Sequence, residues 1–199
     1  MDLVSRVIFS AVDRYPVVSM NAYNFWNLVL PGQLMQVLDS TLFMGWTYKS
    51  WGLLLFFALS LVALFPLIKQ VITSIRNRSV ITLPMSKIML TCALIALLFF
   101  YFNTQMHERY AHPALIFLIV AAILTKRPLW AILGCFAYLF NMEDVLRALS
   151  FQNHGILLFS KDFVSGLYLI TIIGLFAELY GWNFLNKNKR QVDGGFVQT

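Results

Sequence analysis

Charge is scarce in this sequence. Lys, Arg, Asp and Glu make up 12% of its 199 residues, about half the share of an ordinary soluble domain. With 59% hydrophobic residues, that shortfall excludes a conventional soluble fold. It points to an integral membrane protein with one membrane domain and no separate soluble one. Cysteine is sparse too. Cys92 and Cys135 each lie inside an apolar run, where a thiol packs as a small hydrophobe and suggests neither a disulfide nor a metal site. There is no glycine-rich nucleotide loop, no zinc-ligand spacing and no Gly-x-Ser-x-Gly elbow. The N-terminal Met-Asp-Leu-Val-Ser-Arg lacks the basic region, apolar core and cleavage site of a signal peptide. The net charge of +6 is not gathered into one basic patch, so nucleic acid is not expected as a partner.

Apolar runs dominate what is present. The periodicity predicts an all-α polytopic bundle of about five spans: residues 51–68, Met85–Phe102, 107–124, 129–140 and 163–185. About 20 apolar residues cross a hydrocarbon core of about 30 Å. The fourth run is short, and extends through Asn141 and Met142, tilts or thins the bilayer. Ahead of the spans, Leu3, Val4, Val7, Ile8, Ala11 and Val12 recur at helical spacing and predict an amphipathic helix ending before Pro16. It either lies in the membrane interface or packs on other helices. Residues 16–31 are too polar to span and predict a re-entrant or interfacial helix. Residues 33–50 read as a loop. The chain thus divides into an outer segment, 1–50, a membrane bundle, 51–185, and a tail, 186–199.

Charge sets the expected orientation. Lys69, Arg76, Arg78, Lys87, Lys126, Arg127, Lys187, Lys189 and Arg190 fall at one set of span ends, joined by Asp193 alone among the acids. The positive-inside rule places those ends in the cytoplasm, with the C-terminus, and residues 1–50 on the outer face. An outer segment of that length without a signal of its own suggests that an N-terminal part is missing or supplied by a second membrane chain.

Three polar clusters then fall on the outer side. His107, Glu108, Arg109, Tyr110 and His112 form the densest. Polar groups so close between two spans are costly unless they meet water, one another or a polar ligand. Arg109 offers a fork of donors suited to phosphate, and a neighbouring histidine adds charge or a proton. The alternative is an Arg–Glu pair that closes the ends of two helices. His107 and His112 have no evident third ligand, so a divalent metal is not indicated. The second cluster, Asn21, Tyr23, Asn24 and Trp26, sets amides beside aromatic faces. That suits a sugar or lipid headgroup, or an aromatic belt at headgroup level. In the third, with Asp144 and His154, Glu143 and Arg147 stand at i, i+4 and read as a surface pair. Glu178, in the last run, snorkels or pairs.

These residues also carry a resemblance. Met106-His-Glu-Arg-Tyr110, with an aliphatic span after Pro113, resembles the C-terminal half of bacterial integral-membrane glycosyltransferases of the GT-C type. It is similar to the second GPI mannosyltransferase and to the protein O-mannosyltransferase superfamily. Ser19-Met-Asn-Ala-Tyr-Asn-Phe-Trp-Asn27 and Gly45-Trp-Thr-Tyr-Lys-Ser-Trp-Gly52 resemble two further stretches of that family, in the family's order. Together the three cover roughly residues 15–125. The resemblance implies a plasma-membrane enzyme that transfers a sugar, mannose among the candidates, from a polyprenyl-phosphate donor to an acceptor on the outer face, with no cofactor. It assigns His107 and Arg109 to the donor phosphate. Glu108, Tyr110 and His112 would orient the site, and Asn21, Tyr23, Asn24 and Trp26 would line the sugar or acceptor pocket. The family's acidic base lies on a first outer loop that this chain does not contain, so no catalytic residue is assigned, and neither Asp13 nor Asp39 takes the role. The second reading is a non-catalytic subunit that binds polyprenyl-phosphate lipid or stabilises a partner transferase.

Overall fold

A computed structural model describes residues 15–30, 32, 34–150 and 155–182. The expected amphipathic helix, His154 and the tail lie outside them. Among the described residues the fold is all-α: a short helix, α1 (Phe25–Val29), and five long ones, α2 (Tyr48–Arg76), α3 (Met85–Phe102), α4 (His112–Thr125), α5 (Leu129–Leu146) and α6 (Lys161–Leu179). The five long helices, with the turn of 3-10 helix Glu108–Ala111 leading into α4, are long and apolar enough to cross a membrane. The chain is an integral membrane protein. The helices run up and down. One end of the bundle therefore gathers the starts of α2, α4 and α6 with the ends of α3 and α5, and the other gathers the opposite termini. The first will be called the His107 end and the second the Lys69 end.

Helix boundaries follow local chemistry. α2 begins at Tyr48, three residues before the expected 51, because Thr47 caps it: the Thr47 Oγ1 accepts from the Ser50 amide at 3.1 Å. Such a cap satisfies one of the four amides that a helix start leaves open. α2 then runs to Arg76, beyond the expected 68. At about 1.5 Å per residue its 29 residues reach about 43 Å, more than the roughly 30 Å core requires. Pro66 lies inside this helix. Proline has no amide hydrogen, so the Val62 carbonyl one turn earlier loses its helical donor. The Tyr180 hydroxyl just past α6 fills the gap, donating to that carbonyl at 2.7 Å. α6 stops at Leu179, short of the expected 185, and Gly181 continues at φ +73. α5 reaches Leu146, so the fourth run does extend to 18 residues.

The segment before α2 departs from expectation. Within residues 16–31, the described ones form strand β1 (Ser19–Met20) and one short helix, α1. Residues 33–50 hold a 3-10 turn, Leu34–Gln36, and a hairpin of β2 (Leu42–Phe43) with β3 (Trp46–Thr47). Its two-residue turn, Met44 and Gly45, takes positive φ at both positions, the primed geometry that suits a tight hairpin. Val18, Trp26, Leu34 and Tyr48 pack here as a small second core. The main core centres on α3, whose Leu94, Leu97, Leu98, Phe100 and Tyr101 are fully buried, while α2 turns Leu54, Phe57, Leu61 and Phe65 outward.

α2 and α3 meet tightly at the His107 end. A Cβ built on Gly52 would lie 2.6 Å from the Phe102 carbonyl oxygen, so only glycine lets the two backbones approach. By contrast, nothing lies within 4 Å of a Cβ at Gly166 on α6. Gly52→Ala is expected to destabilise the detergent-solubilised protein by about 1–3 kcal/mol through overpacking. Gly166→Ala should be neutral or slightly stabilising. Thermal unfolding of both variants checks the contrast.

Candidate functional site

Strand pairing joins the two polar stretches. β1 runs parallel to β4 (Met106–His107), with Ser19 opposite Met106 and Met20 opposite His107. Asn21 bridges to His107 as well. Flanking this contact, Asn21 and Gln105 both sit at φ +61. Asparagine tolerates that left-handed conformation; glutamine does so less readily.

Three side chains hold the joined segments to the bundle. Asn141, on α5 and wholly buried, donates to the Asn21 carbonyl at 2.9 Å and accepts from the Tyr23 amide at 3.1 Å. The Trp26 indole donates to the Phe102 carbonyl at 2.9 Å. Asn24 caps α1 through the Trp26 amide and reaches the Asn103 carbonyl at 3.4 Å. Trp26 and Asn24 are buried to 1% and 0% exposure. Both are thus engaged in closing the end of α3, where carbonyls have no helical donor.

Asn21 and Tyr23 do border open space. With Ser19, Asn27 and Lys161 they line a polar cleft of about 260 Å3. The Tyr23 hydroxyl donates a short hydrogen bond to Asp144 on α5. Burial, then that bond and the Asp144 charge, raise the Tyr23 pKa well above its ordinary value, so it remains a protonated donor.

The His107–His112 cluster divides. His107 meets Tyr15 and Tyr110 edge to face, with ring centroids 6.2 and 5.3 Å apart, and its Nδ1 lies 3.9 Å from Glu108 Oε2. Glu108 is buried. Arg109 is exposed and, among the described residues, has no ion-pair partner. No Arg109–Glu108 pair closes the helices. His112 shares a 3.1 Å hydrogen bond with the Tyr138 hydroxyl on α5. Pro113 stands in the first turn of α4, where its missing amide hydrogen costs nothing.

Arg109 and Tyr110 border a second space. An open groove of about 700 Å3 runs between α2, α3 and α4, walled by Phe56, Cys92, Ile95, Phe99 and Phe117. Its lining is almost wholly apolar, and Arg109 supplies its one charge. From Phe99 to Cys92 it follows α3 for about 10 Å. An apolar trough ending at a guanidinium with no ion-pair partner among the described residues can hold a chain that carries an anionic head.

Several site residues escaped the sequence reading. Asn141 counted only toward helix length, although an amide inside an apolar run is a signal in itself. Lys161 starts α6 and faces the cleft. Asp39, also buried, accepts from Thr104 at 3.2 Å and Gln105 at 2.8 Å, holding the turn before β4. The third cluster requires correction. Glu143 is buried, and its Oε2 accepts from the Leu149 amide at 2.9 Å. It caps the turn after α5 and forms no surface pair with Arg147. Among the described residues no group of three or more His, Cys, Asp or Glu could hold a metal ion. No protein-family model, curated protein or solved structure matches this chain.

Asn141→Leu would strand two backbone groups. Each should cost about 1–3 kcal/mol, seen as a lower unfolding temperature in detergent. Tyr23 gives a pH-dependent counterpart. Its raised pKa contributes stability that is complete below the unfolded value near 10 and declines as pH rises above it. Unfolding followed from pH 8 to 11 should show that decline in the wild type and a shallower one in Tyr23→Phe.

Proposed function

We propose that the chain binds a lipid-linked phosphate of the polyprenyl-phosphate-sugar class and takes part in sugar transfer at the outer face of a bacterial inner membrane. The observation that carries this reading is the apolar groove with Arg109 at its end. The first isoprene units of a polyprenyl chain match the length of the trough, and the guanidinium meets the phosphate through two parallel charge-assisted hydrogen bonds. The resemblance of Met106-His-Glu-Arg-Tyr110 to the GT-C type of glycosyltransferase supports the same ligand. So does the pairing of β4 with β1, which ties the groove's rim to the polar cleft at Asn21.

In this reading the sugar extends from the phosphate toward the cleft, where the exposed Asn21 and Lys161 offer hydrogen bonds. The acceptor oxygen bonds to the anomeric carbon as that carbon's bond to the phosphate oxygen breaks, and the acceptor's proton passes to the departing phosphate. Arg109 stabilises the charge that develops on the departing oxygen, and His107 assists. Stabilising charge as it forms is commonly the largest single contribution to such catalysis.

A second reading keeps the ligand and drops the reaction: a non-catalytic subunit beside a transferase chain. It is favoured by how three of the carboxylates at this end are engaged. Asp39 accepts from Thr104 and Gln105, Asp144 from Tyr23 and Glu143 from Leu149. Each serves as a structural acceptor.

The test is binding of polyprenyl phosphate to the protein in nanodiscs. Arg109→Ala should weaken it about 10- to 100-fold, and Arg109→Lys by less. Unchanged affinity in Arg109→Ala would refute the phosphate contact. Ala96→Trp, which fills the groove, should impair the long-chain lipid while sparing a short-chain analogue. Sugar transfer, assayed on the chain alone and with any co-purifying membrane protein, separates enzyme from subunit.

A further inference from the structure

The Lys69 end of the bundle carries a further concave site, independent of the role given to Arg109. Its volume is about 410 Å3, and three helices build it. α2 contributes Phe65, Lys69 and Thr73, α3 contributes Lys87, and the end of α6 contributes Leu179 and Tyr180. No carboxylate lines it. Among the described residues neither lysine has an ion-pair partner.

The walls are fixed by the proline in α2. Pro66 frees the Val62 carbonyl, Tyr180 takes it, and that bond holds the end of α6 against α2. On the other flank, Gln70 donates to the Thr82 carbonyl and ties down the connection between α2 and α3. The recess is thus constructed by side chains from both sides.

Its depth is informative. Counting from Tyr48, about 20 residues cross the hydrocarbon core, which brings Lys69 to the far headgroup layer. Lys87 is the third residue of α3, at the corresponding level of its neighbour. It also stands where the α3 amides are open and the helix dipole is positive. A soluble anion would have no use for the Phe65 and Leu179 walls. A phospholipid needs both halves, with the phosphate between the lysines and the first acyl carbons along the apolar side.

We propose that the recess formed by Lys69, Lys87 and Tyr180 binds the phosphate headgroup of one anionic phospholipid at the end of the bundle opposite Arg109.

Native mass spectrometry of the full chain, released from micelles holding equal phosphatidylglycerol and phosphatidylcholine, tests this. One phosphatidylglycerol should be retained selectively. The double variant Lys69→Gln with Lys87→Gln should lower that retention about thirtyfold. The charge-preserving pair Lys69→Arg with Lys87→Arg should keep it, which separates a lost site from a lost fold. Lys126→Gln, which removes a charge from the same end outside the recess, should change it by a few-fold at most. Wild-type retention in the glutamine pair, or an equal loss in Lys126→Gln, would overturn the site. In phosphatidylcholine nanodiscs, soluble glycerol phosphate should leave thermal stability unchanged. Stabilisation by it equal to that from phosphatidylglycerol would overturn the lipid as its occupant.

Discussion

The last carbonyls of a helix have no donor within it, and near hydrocarbon no water is at hand to replace one. At the end of α3 that constraint falls on Phe102 and Asn103, and it is met by Trp26 and Asn24 from a segment some eighty residues earlier. Much of the His107 end follows from this. To deliver Trp26 and Asn24, the chain must lie across the end of α3, which sets β1 beside β4. Gly52 must be small, because the same carbonyl that Trp26 satisfies also abuts the start of α2. Asn141 then completes the attachment from α5. At the opposite end, Pro66 frees one carbonyl and Tyr180 answers it. Both ends are shaped by polar backbone seeking partners beside an apolar medium.

The bundle itself was legible in the sequence. Five long apolar runs with charge at their ends leave little choice, since lipid admits only helices or closed barrels. Boundaries were less legible. Thr47 moves the start of α2 forward through one hydrogen bond, and α2 outruns its apolar core because a helix continues into water as readily as polar residues allow. The segment 15–47 was read least well. β1 and β4 have two residues each, and their pairing spans a separation that periodicity cannot detect.

The polar clusters stand out in the sequence, while the contacts that hold their members do not. Asn21, Tyr23, Asn24 and Trp26 look alike as a string, yet two border the cleft and two close a helix end. The difference lies in which carbonyls happen to be near, and that is a tertiary fact. Likewise the i, i+4 spacing of Glu143 and Arg147 suggested a pair, but the chain turns back after α5 and offers the Leu149 amide first. Arg109 stands out in both views. It was the strongest donor in the sequence motif, and it is the one charge that lines the groove.

The central claim is that this groove holds the chain of a lipid-linked phosphate. The two cysteines provide a direct measurement. Cys92 lines the groove, whereas Cys135 lies in a separate apolar hollow with Ile119 and Lys126. Alkylation by a membrane-permeant thiol reagent, followed at each cysteine with increasing polyprenyl phosphate, reports where the lipid sits. Slowed reaction at Cys92 with Cys135 unaffected is the predicted result. Equal rates at Cys92 with and without the lipid, under conditions where the protein binds it, would contradict the account.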